Sequence, residues 1–396
     1  MAASLLVLGD GGAPTGYARV IHNILRALPK GAYDVHHLAV NYSGDPHGES
    51  WKMYPAGARG HIFGVNRIKE LMEKVQPELV FSVADLWIQK VYVDELFACA
   101  PKPKLVLYSP VDAGPVDPEW VSKFKEVSRI VAFTNYARSE ILGAFDPKEA
   151  PAVDTIPLGV ETEVFFPLNP KEPWRTNEAK QRLGLFSEEE IDDSFLVLNA
   201  HRNQPRKRID ITLKGFALFA RDKPKNVQLY LHMGTEDVGW NVLKLAKRYG
   251  ISERMIVTEN RNTLPGILSE HLNLLYNASD VGLNTATGEG WGLPNFEHAA
   301  AGKAQVLPRF GALAEVWSEC AEFVEPTGEV VYEVVLSEGK VVSVESVAAA
   351  LEKLYASEKR RWEVAQACYR RATQLEYQWQ QIGKRWHALF QEALST

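Results

Sequence analysis

Glu289 and Glu297 bracket a glycine-rich turn, Gly290-Trp291-Gly292-Leu293-Pro294, which runs into the helix-like His298-Ala299-Ala300-Ala301. The apolar segment before it, Ala278 to Asn284, reads as a short buried strand. A strand, a glycine turn and a helix start leave backbone N–H groups without intrahelical partners, aimed at whatever fills the turn, which suits an anion. A carboxylate in the same place repels phosphate and instead accepts hydrogen bonds from hydroxyls. Amides for an anion beside acids for hydroxyls describe a sugar nucleotide. Without a ligand, the same residues form a strand-to-helix connection with one solvated Glu and one on a helix surface.

The two acids have seven residues between them around Gly-Trp-Gly-Leu-Pro. This segment resembles the E-x7-E motif of retaining glycosyltransferases of the GT-B fold, the family 4 group (glycosyl transferases group 1). Such an enzyme breaks the bond to a leaving diphosphate, and without a metal it needs fixed positive charge there. The stretch His201-Arg202-Asn203-Gln204-Pro205-Arg206-Lys207-Arg208 follows directly on a strand end, where ligands bind in open α/β sheets. It is similar to the family's Arg/Lys pair, and Arg202 and Lys207 match it best. Arg offers phosphate a bidentate fork and Lys a point charge. Arg206 and Arg208 are expected in solvent, or Arg206 as a supplement to the site; a basic surface turn is the alternative reading of all four.

The resemblance implies further roles. Glu297 would accept from the ribose hydroxyls and Glu289 from a hydroxyl of the transferred sugar. The amides of Gly290, Trp291, Gly292 and Leu293 would hold distal phosphate or sugar oxygens. Trp291 either walls off the sugar or packs as a core aromatic. The base would lie against Glu259 to Asn262. In the loop Asp10-Gly11-Gly12-Ala13-Pro14-Thr15-Gly16, Gly16 matches the family's second loop glycine, which approaches the donor diphosphate, whereas Thr15 replaces the first. The family's His after a middle strand is absent from Leu107 to Pro115. Asp112 is its nearest replacement, able to accept a proton or to close an Asx turn, and Asp85 ends a neighbouring strand.

These residues need two α/β units to carry them. Strands are expected at Leu5–Leu8, Tyr33–Val40, Leu79–Ser82, Leu105–Tyr108 and Ile130–Phe133, alternating with helical stretches such as Tyr17–Leu28. The alternation implies a parallel sheet covered on both faces. It restarts at Phe195–Ala200, Val227–His232, Met255–Val257 and Asp280–Leu283, after the polar, Pro-rich Phe166–Asp193. Two such halves match the GT-B fold that the resemblance implies: two Rossmann-like domains facing a central cleft. Residues 1–168 form the acceptor-side domain and 169–376 the donor domain. The resemblance places the last helix, residues 377–396, back on the first domain through its apolar face (Trp379, Ile382, Trp386, Leu389, Phe390); an oligomer contact is the alternative. The segment Ile156 to Phe165 resembles the family's end-of-first-domain stretch. Val330 to Val344 reads as an inserted β-hairpin around Glu338-Gly339.

Composition excludes several classes. With 396 residues, 46% apolar and 24% charged, the chain suits two globular domains. No apolar run is long enough to cross a bilayer. Leu5–Leu8 is cut off by Gly9-Asp10-Gly11-Gly12 and lacks a basic leader, so it reads as a strand and not a signal peptide. Three scattered cysteines offer no disulfide framework, and a reducing cytoplasm is the expectation. A net charge of −6 gives no global pull towards nucleic acid. His36, His37, His47, His61, His232, His271 and His298 lack metal spacing, so no metal and no cofactor beyond the nucleotide-sugar co-substrate is expected.

The resulting expectation is a retaining, metal-independent hexosyltransferase that moves sugar from a nucleotide-sugar donor, UDP-sugar favoured, to a hydroxyl acceptor. That acceptor (saccharide, lipid, protein or nucleic acid) would be read by the first domain, chiefly by Asn41 to Trp51. Alternatives are a sugar-nucleotide epimerase of the same fold and a sugar-nucleotide-binding regulator that has lost catalysis. A phosphorylase would require pyridoxal phosphate on a lysine, for which no lysine motif is visible.

Overall fold

The computed structural model describes residues 2–12, 15–258 and 266–395. Contacts divide the chain into two units, Met1–Gly159 with Val334–Ser337 and Leu375–Thr396, and Val160–Glu333 with Glu338–Gln374.

In the first unit, β1 (Ala3–Asp10), β2 (Tyr33–Val40), β3 (Lys52–Pro55), β4 (Leu79–Val83), β5 (Leu105–Ser109), β6 (Arg129–Ala132) and β7 (Val153–Thr155) are all parallel. They lie in the order β3-β2-β1-β4-β5-β6-β7. The central strands are apolar without alternation because helices cover both faces; Leu5 to Leu8 and Leu79 to Phe81 are fully buried. Strand order reverses between β1 and β4, so the loops after these two strands open at the switch point of the sheet. β3 and β7 were not expected. β3 is half-exposed and ends in proline, and β7 has only three residues, too short for a period to register.

The last helix, Trp379–Ser395, belongs to this unit and carries its apolar stripe inward. Trp386 packs on Phe81 and Tyr108 with ring centroids 4.9 and 4.6 Å apart, and Phe390 lies 5.1 Å from Phe81. Close approach fixes one residue: a Cβ on Gly383 would meet the Ala27 carbonyl oxygen at 2.4 Å. The helix therefore returns to the first unit, as the fold resemblance implied.

The second unit holds β8 (Phe195–Asn199), β9 (Val227–Leu231), β10 (Met255–Val257), β11 (Val281–Leu283), β12 (Ala304–Pro308) and β13 (Glu322–Val324), all parallel. Their order is β10-β9-β8-β11-β12-β13, with its switch between β8 and β11. Ala278, expected at the start of a strand, ends the helix Ser269–Ala278 instead. The Pro-rich stretch that separates the two strand sets in sequence packs on this unit. Asn273 and Asn277 accept from the amides of Phe166 and Leu168 at 3.2 and 2.8 Å, and buried Lys180 pairs with Asp280 at 2.8 Å. The contact division accordingly falls at Gly159/Val160, ahead of the 168/169 boundary expected from composition.

β14 (Pro326–Val331) and β15 (Glu338–Val342) form the antiparallel hairpin. Its turn is not at Glu338-Gly339, which lie within β15. Gly339 serves close approach: a Cβ there would meet the Tyr332 hydroxyl at 2.6 Å and the Thr287 carbonyl at 2.8 Å. The hairpin thereby rests on the loop that carries Glu289.

Candidate active site

Two loops at the switch point of the second sheet build the site. One runs from the end of β8 through His201 to Arg208; the other leaves β11 at Asn284 and enters the helix Leu293–Ala300. Hydrogen bonds to the backbone carbonyls of the first loop lock them together. The Thr287 amide donates to the Arg206 carbonyl at 2.8 Å, and the Thr285 hydroxyl donates to the Lys207 carbonyl at 3.0 Å. Arg208, at φ +48, turns the chain into the next helix and is braced by a two-point pair with Asp210 at 2.9 Å. Lys207 is thus delivered beside the second loop.

Glu289 is the hub. Its carboxylate, 6% exposed, accepts from Lys207 Nζ at 2.5 Å, from Arg206 at 3.3 Å and from Asn284 Nδ2 at 3.2 Å. His201 Nδ1 stands 3.4 Å from its other face. Burial pushes the Glu289 carboxyl up, but the Lys207 and Arg206 charges pull harder and hold it below the usual carboxylate range. A buried carboxylate with two cations and an amide is a charged, preorganised acceptor for hydroxyl groups.

Behind the hub lies a closed polar network. Asn295 Oδ1 accepts from Asn284 Nδ2 at 3.0 Å and lies 2.9 Å from His201 Nε2, and Asn295 Nδ2 donates to Gln305 at 2.9 Å. Burial first, partly offset by Glu289, takes His201 down to about 4.

Gly292, at φ +87, caps the helix Leu293–Ala300, a backbone that side-chain-bearing residues rarely adopt. Pro294, which has no N–H to leave unpaired, sits in the first turn. Gly290 and Leu293 flank this turn, the first buried and the second half-buried. Trp291 is the packed aromatic of the two readings, 4% exposed and edge-on to Phe296 at 5.3 Å. Glu297, on the same helix, is buried and accepts from the Tyr276 hydroxyl at 2.9 Å.

The structure thus brings Glu289 and Lys207 together, whereas Arg202 is held elsewhere. Its guanidinium forms a two-point pair with Asp237 at 2.9 and 3.0 Å, beyond the end of β9. Arg206, expected in solvent or as a supplement, reaches both the Gly288 carbonyl, at 3.0 Å, and Glu289. Sequence reasoning also passed over His201, Asn284 and Asp237. All three follow strand C-termini, a position that would have marked them. The base-contact segment Glu259 to Asn262 lies outside the described residues.

Gly16, Asp85 and Asp112 belong to the first unit, at the C-terminal edge of its sheet. Gly16 opens the helix Gly16–Ala27, capped by Thr15, whose hydroxyl donates to Asp10 at 2.5 Å. Asp85 accepts from the Tyr17 hydroxyl at 2.5 Å, and Asp112 lies in the bend after β5. His37 and His298 are buried, and desolvation takes both down to about 3, as neutral rings. Among the described residues, no cluster of His, Cys, Asp and Glu could hold a metal, and no helix is long and apolar enough to cross a membrane.

Residues 234–388 match the family model described as glycosyl transferase-like. Sucrose-phosphate synthase from Thermosynechococcus elongatus superposes with a TM-score of 0.75 at 16% identity, covering 100% of both chains. Anabaena HepE, in complex with UDP and glucose, gives 0.70 at 14% identity over 98% of this chain and 99% of that one. WaaG, a glycosyltransferase involved in lipopolysaccharide biosynthesis, gives 0.68 at 13% identity over 97% and 98%. No curated protein matches the sequence. The chain therefore has the GT-B glycosyltransferase fold over its whole length, with a glycosyl transferase-like family match across residues 234–388.

Proposed function

We propose that this protein is a retaining, metal-independent glycosyltransferase that moves a hexose from a nucleotide-sugar donor, a UDP-sugar first, to a hydroxyl acceptor. The observation that carries the reading is the buried Glu289 carboxylate shared by Lys207 and Arg206 at the mouth of the helix Leu293–Ala300. Cations for a diphosphate, a carboxylate for sugar hydroxyls and a helix N-terminus for an anion converge within one loop pair. The UDP and glucose of the HepE complex support the choice of donor.

In this reading Glu297 accepts from the ribose hydroxyls and Glu289 from a sugar hydroxyl, while the amides of Gly290, Trp291, Gly292 and Leu293 face the distal phosphate. Lys207 and Arg202 neutralise the diphosphate as it leaves, Arg202 exchanging Asp237 for phosphate and Arg206 assisting. The bond from the anomeric carbon to phosphate breaks and a bond to the acceptor oxygen forms on the same face. The acceptor proton passes to the departing phosphate oxygen, so no second carboxylate has to flank the bond as nucleophile. By the family resemblance, the first unit's share falls to Gly16, for the diphosphate, and Asp112, for the acceptor hydroxyl.

Sugar release from UDP-glucose, followed without metal, tests the proposal. Glu289→Ala and Lys207→Ala abolish release and transfer; near-normal rates in either variant would overturn the site assignment. Asp112→Ala keeps donor binding and loses transfer.

A further inference from the structure

The Glu289 network contains a titratable group for which the mechanism above has no use. His201 is 3% exposed, follows β8 directly and touches Glu289 from the side opposite Lys207. The hydrogen-bond network assigns its tautomer. Asn295 Oδ1 already accepts from Asn284 Nδ2, so the atom facing it from His201, Nε2 at 2.9 Å, carries the hydrogen. The Nδ1 of the neutral ring then turns a lone pair towards Glu289 Oε1 at 3.4 Å, acceptor against acceptor. A proton on Nδ1 converts that contact into an ion pair without moving either side chain.

Burial and the cations around it keep the ring neutral. Burial acts first; Lys207 and Arg206 oppose a further positive charge, whereas Glu289 and the hydrogen bond to Asn295 favour it. Both opposing cations come from the same loop, and both are already spent on Glu289. A donor diphosphate competes for those cations. Each one drawn from Glu289 towards phosphate removes repulsion from His201 and leaves a buried carboxylate short of counter-charge, a costly state in a dry site.

We propose that His201 is the reserve counter-ion of Glu289: donor binding draws Lys207 and Arg206 to the diphosphate, and His201 takes up a proton on Nδ1 to keep the Glu289 carboxylate paired and in place. His201 acts here as a positioning residue, working through Glu289 rather than on the sugar. The inference rests on the donor reading above.

Calorimetric titration with UDP-glucose, in buffers of different ionisation enthalpy near pH 7, measures the linkage directly. UDP-glucose has no phosphate group that titrates in that range, so any proton exchanged comes from the protein. Uptake approaching one proton per donor is expected for the unaltered chain. In His201→Gln, whose amide still donates to Asn295 but cannot charge, uptake disappears and affinity falls by about tenfold. His201→Asn, whose shorter amide also cannot charge, repeats the loss of uptake. Binding with a heat independent of buffer in the unaltered chain overturns the proposal while leaving the donor reading intact. Undiminished uptake in His201→Gln overturns it equally. Absence of UDP-glucose binding in the unaltered chain refutes the donor reading itself, and the inference with it.

Discussion

Replacing Lys207 by Met removes the nearest counter-charge of a carboxylate that is 6% exposed. Deleting one partner of a buried ion pair costs about 3–5 kcal/mol, because the other charge stays behind. Arg206 at 3.3 Å and Asn284 at 3.2 Å remain on Glu289, which argues for the lower end, about 3 kcal/mol. For a unit of this size that corresponds to a fall in Tm of about 6–12 °C. The pH dependence gives the sharper test. In the unaltered protein the folded-state pKa of Glu289 is depressed. Its stabilisation is therefore full above the unfolded carboxylate value of about 4.3 and is lost only as pH falls through the lower folded value. In Lys207→Met, burial outweighs the attraction that remains and lifts the carboxyl above its unfolded value. The sign reverses: the ionised group then costs stability at neutral pH, and that cost fades as acid protonates it. Scanning calorimetry of both proteins at about pH 7.5 and about pH 5 should show a Tm gap that narrows markedly at the lower pH. A gap of equal size at both values would refute the claim that an unpaired Glu289 causes the loss.

Arg206→Ala and Arg202→Ala separate the two arginines: Arg206→Ala should lower Tm measurably through Glu289. Arg202→Ala, which removes a half-exposed pair with Asp237, should leave stability nearly unchanged and reduce sugar release by at least tenfold. Glu297→Gln keeps the shape of the helix face and the Tyr276 contact; titration should show nucleotide affinity weakened by about tenfold or more, with little change in Tm. Gly383→Ala gains about 1 kcal/mol of helix propensity but drives a Cβ to 2.4 Å from the Ala27 carbonyl, and the clash should win, lowering Tm by several degrees.

Much of this arrangement is legible in the residues because it rests on local rules. Apolar runs without alternation mark the buried parallel strands, and the glycine that caps the helix Leu293–Ala300 marks the turn between the two acids. The apolar stripe from Trp379 to Phe390 follows helical spacing, and the fold resemblance sends it back to the first unit. What escapes is set by tertiary partners. Glu338-Gly339 has the composition of a turn, yet Gly339 is there because Tyr332 and Thr287 leave no room for a side chain. Arg202 matches a motif position, but Asp237, thirty-five residues on, holds its guanidinium. Arg206 looks like one more surface cation until the Thr287–Arg206 backbone bond turns its side chain to Glu289. The edge strands β3, β7 and β13 are short and each carries a charged residue, Lys52, Asp154 and Glu322, so no apolar run marks them. Spacing finds the candidate chemistry, and packing decides which cation stands beside which carboxylate.

The central claim is that the loop pair around Glu289 binds a nucleotide sugar without metal. Titration calorimetry in the presence of a chelator, with UDP, GDP, ADP and dTDP and their common sugars, tests it most directly. The account predicts saturable, selective binding of one nucleotide series, UDP first, that is lost in Lys207→Ala and Glu297→Ala. Absence of binding across all four series, or binding indifferent to both substitutions, would contradict it.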